Sequence, residues 1–325
     1  MRALVLLTTM LLVASVSGAW ADTKPFHAGI SRISVTGDPG FDVLVWYPTQ
    51  AEEAPWQMAD YPIPATRNTP IAPGPFPIVL LAHGGGLGGG KPYVLSELSA
   101  DLARHGFVVV APFHGTAPLS RRASQIHLAL DTVLADPRFA SHVDAQRLGM
   151  LGFSLGGAVT LELAGAAPDF AHLDAYCDAH PADVMSCEHA PGGGGRKSSA
   201  VPWWAFWVAG PPSVAPLPLK AIVLLDPFAV LFPRASLAAV TMPVLLFRPD
   251  HSQQGEENAL GLAAALPHPP QYQTIPGSHF IFVDVCPPSL KATSPEVCQE
   301  APGVDRASIH TAIEAQIAGF FSAHL

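Results

Sequence analysis

The stretch Gly152-Phe153-Ser154-Leu155-Gly156-Gly157 decides the fold, and it directly follows an apolar run at residues 147–151. Its pattern, G-x-S-x-G between a candidate strand and a candidate helix, predicts a sharp turn that lifts the serine hydroxyl above a sheet. Glycines flank the serine because a side chain would crowd such a turn. Two further segments support this interpretation. His83-Gly84-Gly85-Gly86 ends an earlier apolar run, and Gly277-Ser278-His279 lies downstream.

The composition fits one large α/β domain with an insertion. The chain has 325 residues, of which 49% are hydrophobic and 13% charged, and its formal net charge is −9. This is ample for a buried core. The acidic balance and the lack of a basic stripe argue against a nucleic-acid partner, because neutralising phosphates requires clustered lysine and arginine.

Residues 1–21 have the features of a secretory signal peptide. Arg2 supplies a positive start, residues 3–16 form an apolar core, and Ala19-Trp20-Ala21 fits the small-x-small cleavage rule. A membrane anchor is the alternative, but the apolar run is shorter than the ~20 residues that a span needs. We therefore expect an exported domain at residues 22–325, either periplasmic or secreted, with no transmembrane segment in the mature chain.

The four cysteines are expected to form disulfides, because export places the chain in an oxidising compartment. Four cysteines allow three pairings, and proximity along the chain favours Cys177–Cys187 and Cys286–Cys298. A zinc site is the alternative, and it is disfavoured because neither pair has the C-x-x-C spacing.

Strand and helix signals alternate along most of the chain. Two extended segments come first, at 28–35 and 42–47, and the continuous apolar run 78–82 is typical of a central parallel strand covered on both faces. Further strands are predicted at 107–111, 148–153, 221–225, 244–247 and 272–275, and helices at 93–104, 120–135, 156–164 and 305–323. The alternation predicts an α/β fold with a mainly parallel central sheet and helices on both faces.

Residues 166–219 interrupt this alternation. They contain two cysteines, a glycine run at 192–195 and an aromatic cluster formed by Trp203, Trp204, Phe206 and Trp207. The segment is too long for an ordinary connection and predicts an insertion that caps the active-site end of the sheet. The aromatic residues have two interpretations, a small core of the insertion or a hydrophobic wall for an acyl or alkoxy group.

Ser154 is the candidate nucleophile. A serine hydroxyl needs a histidine to take its proton and a carboxylate to orient and balance that histidine. His279 is the best candidate base, because it follows the strand at 272–275 and precedes the last helix. His310 and His324 lie on or past that helix and are predicted to be solvated.

Two aspartates compete for the role of the acid. Asp226 directly ends the strand at 221–225, and Asp250 follows the strand at 244–247 in a polar loop. Either loop can present a carboxylate to His279 at the carboxyl end of the sheet. Asp226 is favoured because it follows its strand immediately and Pro227 stiffens the turn. Asp250 remains the alternative.

The oxyanion of an attacked carbonyl requires two backbone N–H donors. Leu155, just after the candidate nucleophile, and Gly85, in the glycine-rich loop, are the expected donors. A phosphate cradle is the alternative for that loop, but the Gly-Lys-Ser/Thr ending is missing. His83 is interpreted as a structural residue of the loop.

With these residues in place, the chain resembles the α/β-hydrolase superfamily over most of residues 28–325. More narrowly, it is similar to bacterial predicted dienelactone hydrolases related to the platelet-activating-factor acetylhydrolases. The narrower cues are His83-Gly84-Gly85, Ala111-Pro112, the 152–157 run and the cysteine-bearing tail after His279-Phe280. The resemblance implies an acid directly after the strand that follows the elbow helix, which matches Asp226. True dienelactone hydrolases have a cysteine where this chain has Ser154.

These residues predict a serine carboxylic ester hydrolase that acts through an acyl-enzyme, on a small-molecule substrate with a short acyl group. No metal and no organic cofactor is expected. A lipase or polyester hydrolase would use the same residues on long or insoluble substrates, and an amidase or peptidase would use the same chemistry. A non-catalytic binding protein on a hydrolase scaffold is the alternative from another class. The sequence leaves the oligomeric state open.

Overall fold

The computed structural model describes residues 25–37, 39–86, 90–187 and 214–325. The predicted signal peptide and the aromatic cluster of the predicted insertion, Trp203, Trp204, Phe206 and Trp207, lie outside the described residues. In chain order the strands are β1 His27–Val35, β2 Phe41–Thr49, β3 Trp56–Met58, β4 Tyr61–Ile63, β5 Thr66–Arg67, β6 Phe76–Ala82, β7 Val108–Pro112, β8 Val143–Phe153, β9 Ala221–Leu225, β10 Val244–His251 and β11 Gln271–Ser278.

The helices alternate with these strands over most of the chain. They are α1 Ser96–Arg104, α2 Leu119–Ala135, α3 Leu155–Leu163, α4 Phe170–Ala179, α5 Val184–Cys187, α6 Arg234–Leu237, α7 Leu260–Ala265, α8 Pro288–Thr293, α9 Pro295–Cys298 and α10 Arg306–His324. Among the residues that the structure describes, three short 3-10 helices lie at Pro92–Leu95, Glu256–Asn258 and His279–Phe282.

Nine strands form one large sheet in the order β11-β10-β9-β8-β6-β7-β2-β1-β5. The six strands from β11 to β7 are mutually parallel, whereas β2 is antiparallel to both β7 and β1. The prediction of a mainly parallel central sheet is therefore confirmed.

The order of the central strands creates a crevice at one edge of the sheet. From β6 the chain goes to β7 on one side, and it then crosses to β8 on the other side of β6. In open α/β sheets, ligands bind in the crevice at the carboxyl ends of the strands where the order reverses. The crevice here lies beyond the ends of β6 and β8, where Ala82 and Phe153 lead into the glycine-rich loop and Ser154.

Helices cover both faces of the sheet, as the alternation predicts. Alternate residues of β6 point to opposite faces, so that Ile78 and Leu80 belong to one buried cluster and Val79 and Leu81 to the other. The first cluster includes apolar residues of α2 and α3, and the second includes those of α1 and α10. The sheet that carries the crevice is thus supported from both sides.

The first part of the predicted insertion, up to Cys187, folds as α4 and α5. The structure contains two disulfides, Cys177–Cys187 and Cys286–Cys298, which are the pairs that proximity favours. Within the described ranges, no helix combines the length and the apolar character that a membrane crossing requires.

Candidate active site

Ser154 forms a strained turn between β8 and α3. Its backbone has φ 54° and ψ −119°, a region that non-glycine residues avoid at a cost of about 1–3 kcal/mol. Three main-chain hydrogen bonds hold this conformation. The Ser154 N–H donates to Leu225 O at 3.0 Å, and Ser154 O accepts from Gly157 N at 2.8 Å and Phe228 N at 2.9 Å. The turn is therefore fastened to the segment that follows β9.

The glycines of the motif allow close approach around this turn. A Cβ added at Gly156 would overlap the carbonyl oxygen of Ala82, and one added at Gly157 would overlap Pro227. Gly152 is equally confined, because a Cβ there would meet the carbonyl oxygen of Gly156. Helix α3 can therefore begin directly against the end of β6, which brings Ser154 beside the glycine-rich loop.

Asp226 and His279 form a buried pair at the same edge of the sheet. Nδ1 of His279 donates to Oδ2 of Asp226 at 2.6 Å, and both side chains are almost completely inaccessible to solvent. Asp226 directly follows β9, with φ 40°, and its N–H donates to Phe247 O at 2.9 Å. The ring of Phe153 stacks on the imidazole at a centroid distance of 5.0 Å, which fixes its plane.

Asp250, the alternative acid, contacts the backbone of a turn near His279 instead of the imidazole. Its side chain is exposed, and Oδ1 accepts the Gly277 N–H at 2.9 Å. Gly277 has φ +125°, so this contact supports a turn that lies two residues before His279. Of the two candidate acids, the structure brings Asp226 and not Asp250 to the imidazole.

The loop after β10 contributes three polar residues that sequence reasoning missed. Ser252 Oγ donates to Asp226 Oδ2 at 2.5 Å, and Gln254 Nε2 donates to Asp226 O at 2.6 Å. Gln253 Oε1 accepts the His279 main-chain N–H at 2.8 Å. Serine and glutamine in a polar loop carry no recognisable sequence signal, so only their contacts reveal them.

The glycine-rich loop is held by another residue that sequence reasoning missed, Arg122 of α2. Its Nη1 donates to His83 O at 3.3 Å and to Gly84 O at 3.1 Å, and its Nε donates to Ala117 O at 3.0 Å. Burial lowers the pKa of Arg122 to about 10, so the group keeps its charge at neutral pH. Arg122 therefore joins the two loops that follow β6 and β7.

His83 is buried and structural, as the sequence suggested. Its Nδ1 donates to Gly84 O at 2.8 Å, and its Nε2 accepts the His114 main-chain N–H at 3.2 Å. The neighbouring His114 is also buried. Burial, followed by the electrostatic effects of His83 and Arg122, holds the pKa of His114 well below its usual range.

A cavity of about 660 Å³ opens beside Ser154. Ser154, His279 and both expected oxyanion donors, Gly85 and Leu155, line it. Its other described walls include Met185, Ser186, Phe228, Gln254 and Phe280. The cavity thus combines the candidate catalytic groups with apolar surface that suits an acyl or alkoxy group.

One cluster of potential metal-ligating side chains occurs in the described part of the chain. The cluster consists of Glu97, Asp284 and His310, and each side chain offers one potential ligand atom within 4.8 Å of the others. His310 Nδ1 contacts Glu97 Oε2 at 3.1 Å, and Nε2 contacts Ile281 O at 2.6 Å. His310 was predicted to be solvated, which is wrong. The face of α10 that carries it packs on the sheet, and only 4% of the residue is exposed.

Comparison with known proteins identifies the fold. No model of a known protein family matches the chain. A ferulic acid esterase from Streptomyces cinnamoneus superposes with a TM-score of 0.60 at 20% identity, covering 93% of this chain and 91% of the esterase. A dienelactone hydrolase from Anabaena variabilis gives a TM-score of 0.50 at 15% identity, with 92% and 99% covered. The chain has the α/β-hydrolase fold, as predicted.

Sequence similarity to curated relatives is confined to a short segment. Cutinase est2 of Thermobifida alba is 42% identical over 79 residues, which is 23% of this chain and 26% of the cutinase. Lipase 1 of Moraxella sp. (strain TA144) is 40% identical over 65 residues, or 19% of this chain and 20% of the lipase. The chain thus spans about a quarter or less of these two relatives. The narrower link to the platelet-activating-factor acetylhydrolases stays a prediction.

Proposed function

We propose that the protein is a serine carboxylic ester hydrolase that acts through an acyl-enzyme. The observation that carries the proposal is the 2.6 Å contact between His279 Nδ1 and Asp226 Oδ2, beside a cavity that Ser154 also lines. With Nδ1–H committed to the carboxylate, Nε2 is the ring nitrogen left to take the serine proton.

In the proposed reaction, Ser154 Oγ attacks the ester carbonyl while His279 Nε2 takes the hydroxyl proton. The N–H groups of Leu155 and Gly85 stabilise the oxyanion of the tetrahedral intermediate. The imidazolium then gives its proton to the leaving alcohol, and an acyl group remains on Ser154. A water molecule, deprotonated by the same imidazole, releases the acid and restores the serine. Asp226 stays ionised and orients the ring.

The acyl preference is part of the proposal. We favour short acyl groups, with a lipase or polyester hydrolase as the alternative. That alternative is supported by the relatives, a cutinase and a lipase, although the similarity covers only a short segment of the chain. Apolar walls at Met185, Phe228 and Phe280 are compatible with either preference.

A series of p-nitrophenyl esters from acetyl to palmitoyl tests the proposal, with the mature protein assayed beside Ser154→Ala. Turnover that is highest with short chains and vanishes in the variant is the expected result. A maximum at long chains would favour the lipase or polyester hydrolase. Unchanged turnover in Ser154→Ala would reject the nucleophile, and no turnover with any ester would favour a binding protein.

We also propose that the chain is exported after removal of residues 1–21. The two disulfides support this, because such bonds persist in oxidising compartments. Expression of the full chain, fractionation and N-terminal sequencing test it. A mature protein in the periplasm or medium that begins at Asp22 is expected, and an uncleaved cytoplasmic product would contradict the proposal.

A further inference from the structure

The Asp226 carboxylate carries an arrangement that the proposed mechanism does not use. Its Oδ2 accepts two hydrogen bonds, one from His279 Nδ1 at 2.6 Å and one from Ser252 Oγ at 2.5 Å. Within the described residues Oδ1 accepts none, and its nearest cationic group is Arg248 Nη1 at 3.8 Å. The two carboxylate oxygens therefore differ in their hydrogen bonds, and Ser252 donates to the oxygen that also accepts from the imidazole.

The residues next to Ser252 hold the pair from other sides. The side chain of Gln253 accepts a hydrogen bond from the main-chain N–H of His279, and the side chain of Gln254 donates one to the main-chain oxygen of Asp226. Gln254 Nε2 also lies 3.3 Å from His279 Nδ1. That contact is not a second hydrogen bond when Nδ1 carries the proton it donates to Asp226, because two donors then face each other.

Arg248 fixes the loop that carries these residues. Its Nη2 donates to Gln254 O at 3.1 Å and its Nη1 to Gly255 O at 3.4 Å. Ser252 adds its own main-chain contact, an N–H donated to Pro249 O at 3.2 Å. The Ser252 hydroxyl is therefore presented to Asp226 from a loop anchored at both ends.

We propose that Ser252 is a positioning residue that acts through Asp226, and this inference rests on the proposed function. A buried carboxylate needs hydrogen-bond donors, and donors fixed in the fold also restrict rotation of the carboxylate about its χ2 bond. The hydrogen bond from Ser252 keeps Oδ2 directed at the imidazole and partly neutralises the negative charge on Oδ2. The loop after β10, the strand that carries the alternative acid Asp250, thus orients Asp226, the acid that follows the neighbouring strand β9.

Kinetics with p-nitrophenyl acetate test the inference in Ser252→Ala and Ser252→Thr. Loss of one hydrogen bond to a charged group predicts about a tenfold lower kcat for Ser252→Ala, with KM unchanged. Without the Ser252 hydroxyl, more negative charge stays on Oδ2 and stabilises the protonated form of the His279 ring. The acidic limb of the kcat/KM profile should therefore move to higher pH. Both charged groups that face the carboxylate, His279 and Arg248, remain. Ser252→Thr keeps a hydroxyl and is expected to restore the wild-type profile.

Ser236→Ala is the matched control, because this half-buried serine donates to Pro233 O at 3.0 Å in a different part of the chain. Wild-type kcat and pH profile in Ser252→Ala would overturn the inference. Equal impairment in Ser252→Thr would overturn it too, since the hydroxyl would then not matter.

A spectroscopic measurement separates this inference from the proposed function. The low-field proton resonance of His279 Nδ1–H is read by NMR in a Ser154→Ala background, where turnover plays no part. Ser252→Ala should shift this resonance, and Ser252→Thr should leave it in place. An unchanged resonance in Ser252→Ala overturns the inference whether or not the wild type hydrolyses esters.

Discussion

Two buried histidine–carboxylate sites lie close together in this molecule, and they differ in how the ring nitrogens are used. At one site His279 donates from Nδ1 to Asp226, and within the described residues no protein group hydrogen bonds to Nε2. At the other site His310 contacts Glu97 through Nδ1 and Ile281 O through Nε2. Both histidines are at least 96% buried.

The difference decides what each histidine can do. Both ring nitrogens of His310 face hydrogen-bond acceptors. Each nitrogen therefore donates a hydrogen bond, and neither has a free lone pair that could take up a proton. His279 keeps one nitrogen uncommitted beside a cavity that contains Ser154. Burial and a carboxylate partner are therefore not enough for proton transfer, which also requires an uncommitted nitrogen.

The second site ties three elements together. Asp284 Oδ2 accepts the N–H groups of Ser96 at 2.8 Å and Glu97 at 3.1 Å, so it caps the start of α1. His310 on α10 joins Glu97 to the segment that follows His279. Burial, with the charge of Glu97, raises the pKa of Asp284 well above its usual range. Burial alone would lower the pKa of His310, but Glu97 and Asp284 outweigh it and raise that pKa.

The largest expected effect is at the first site. Asp226→Asn removes the charge and reverses the hydrogen-bonding role of the group facing Nδ1, so we expect kcat for p-nitrophenyl acetate to fall about 10⁴-fold. The fold should persist, which circular dichroism checks. A kcat within tenfold of wild type would remove Asp226 from the proposed triad.

At the second site, the expected effect is on stability instead. Asp284→Ala leaves the start of α1 uncapped and removes one member of the buried charge network, which should lower the free energy of unfolding by about 3 kcal/mol. Denaturant unfolding measures this loss. Turnover per folded molecule should stay within a few-fold of wild type, and a loss comparable to that of Asp226→Asn would show that the two sites are not separate.

The pH dependence of stability distinguishes the sites further. In the folded protein the pKa of His310 is raised above the ordinary value of a histidine, 6.5. The contribution of His310 to stability is therefore complete below that ordinary value and is lost as pH rises through the raised pKa. The raised pKa of Asp284 acts in the same direction. We expect the difference in stability between wild type and His310→Gln to shrink as pH rises, in unfolding curves measured between pH 5 and 9. A difference that grows would reverse the assigned sign.

Asp250→Asn is expected to have the smallest effect. Asn keeps an oxygen that can accept the Gly277 N–H, and Asp250 is exposed, so stability should change by no more than about 0.5 kcal/mol. Ester turnover should remain close to wild type. If Asp250→Asn abolished turnover while Asp226→Asn did not, the two acids would exchange roles.

The sequence predicted the elements whose signals are local. The elbow at Ser154 needs only five consecutive residues, and alternating apolar runs indicated the parallel sheet. His279 was identified by its place between the last strand and the last helix. The solvated interpretation of His310 was wrong because it followed from the polarity of the side chain. His310 lies at helical spacing from Ile313 and Ile317, on the face of α10 that packs in the interior.

The candidate acid, by contrast, was decided by tertiary structure. Asp226 and Asp250 each follow an apolar strand, so local sequence left both open. The parallel register pairs Leu225 with Phe247, which ends β9 at the level of the cavity while β10 continues to His251. Asp226 therefore meets Nδ1 of the imidazole, whereas Asp250 lies farther along β10 and contacts the Gly277 turn.

By itself, the sequence determined the fold class, the nucleophile candidate and the favoured disulfide pairs, because each depends on residues near one another along the chain. Tertiary structure alone decided which carboxylate meets His279, which loop supports that carboxylate, and which histidine keeps an uncommitted nitrogen. These outcomes depend on strand register and helix rotation, which arise from packing among residues far apart in the chain and leave no local pattern.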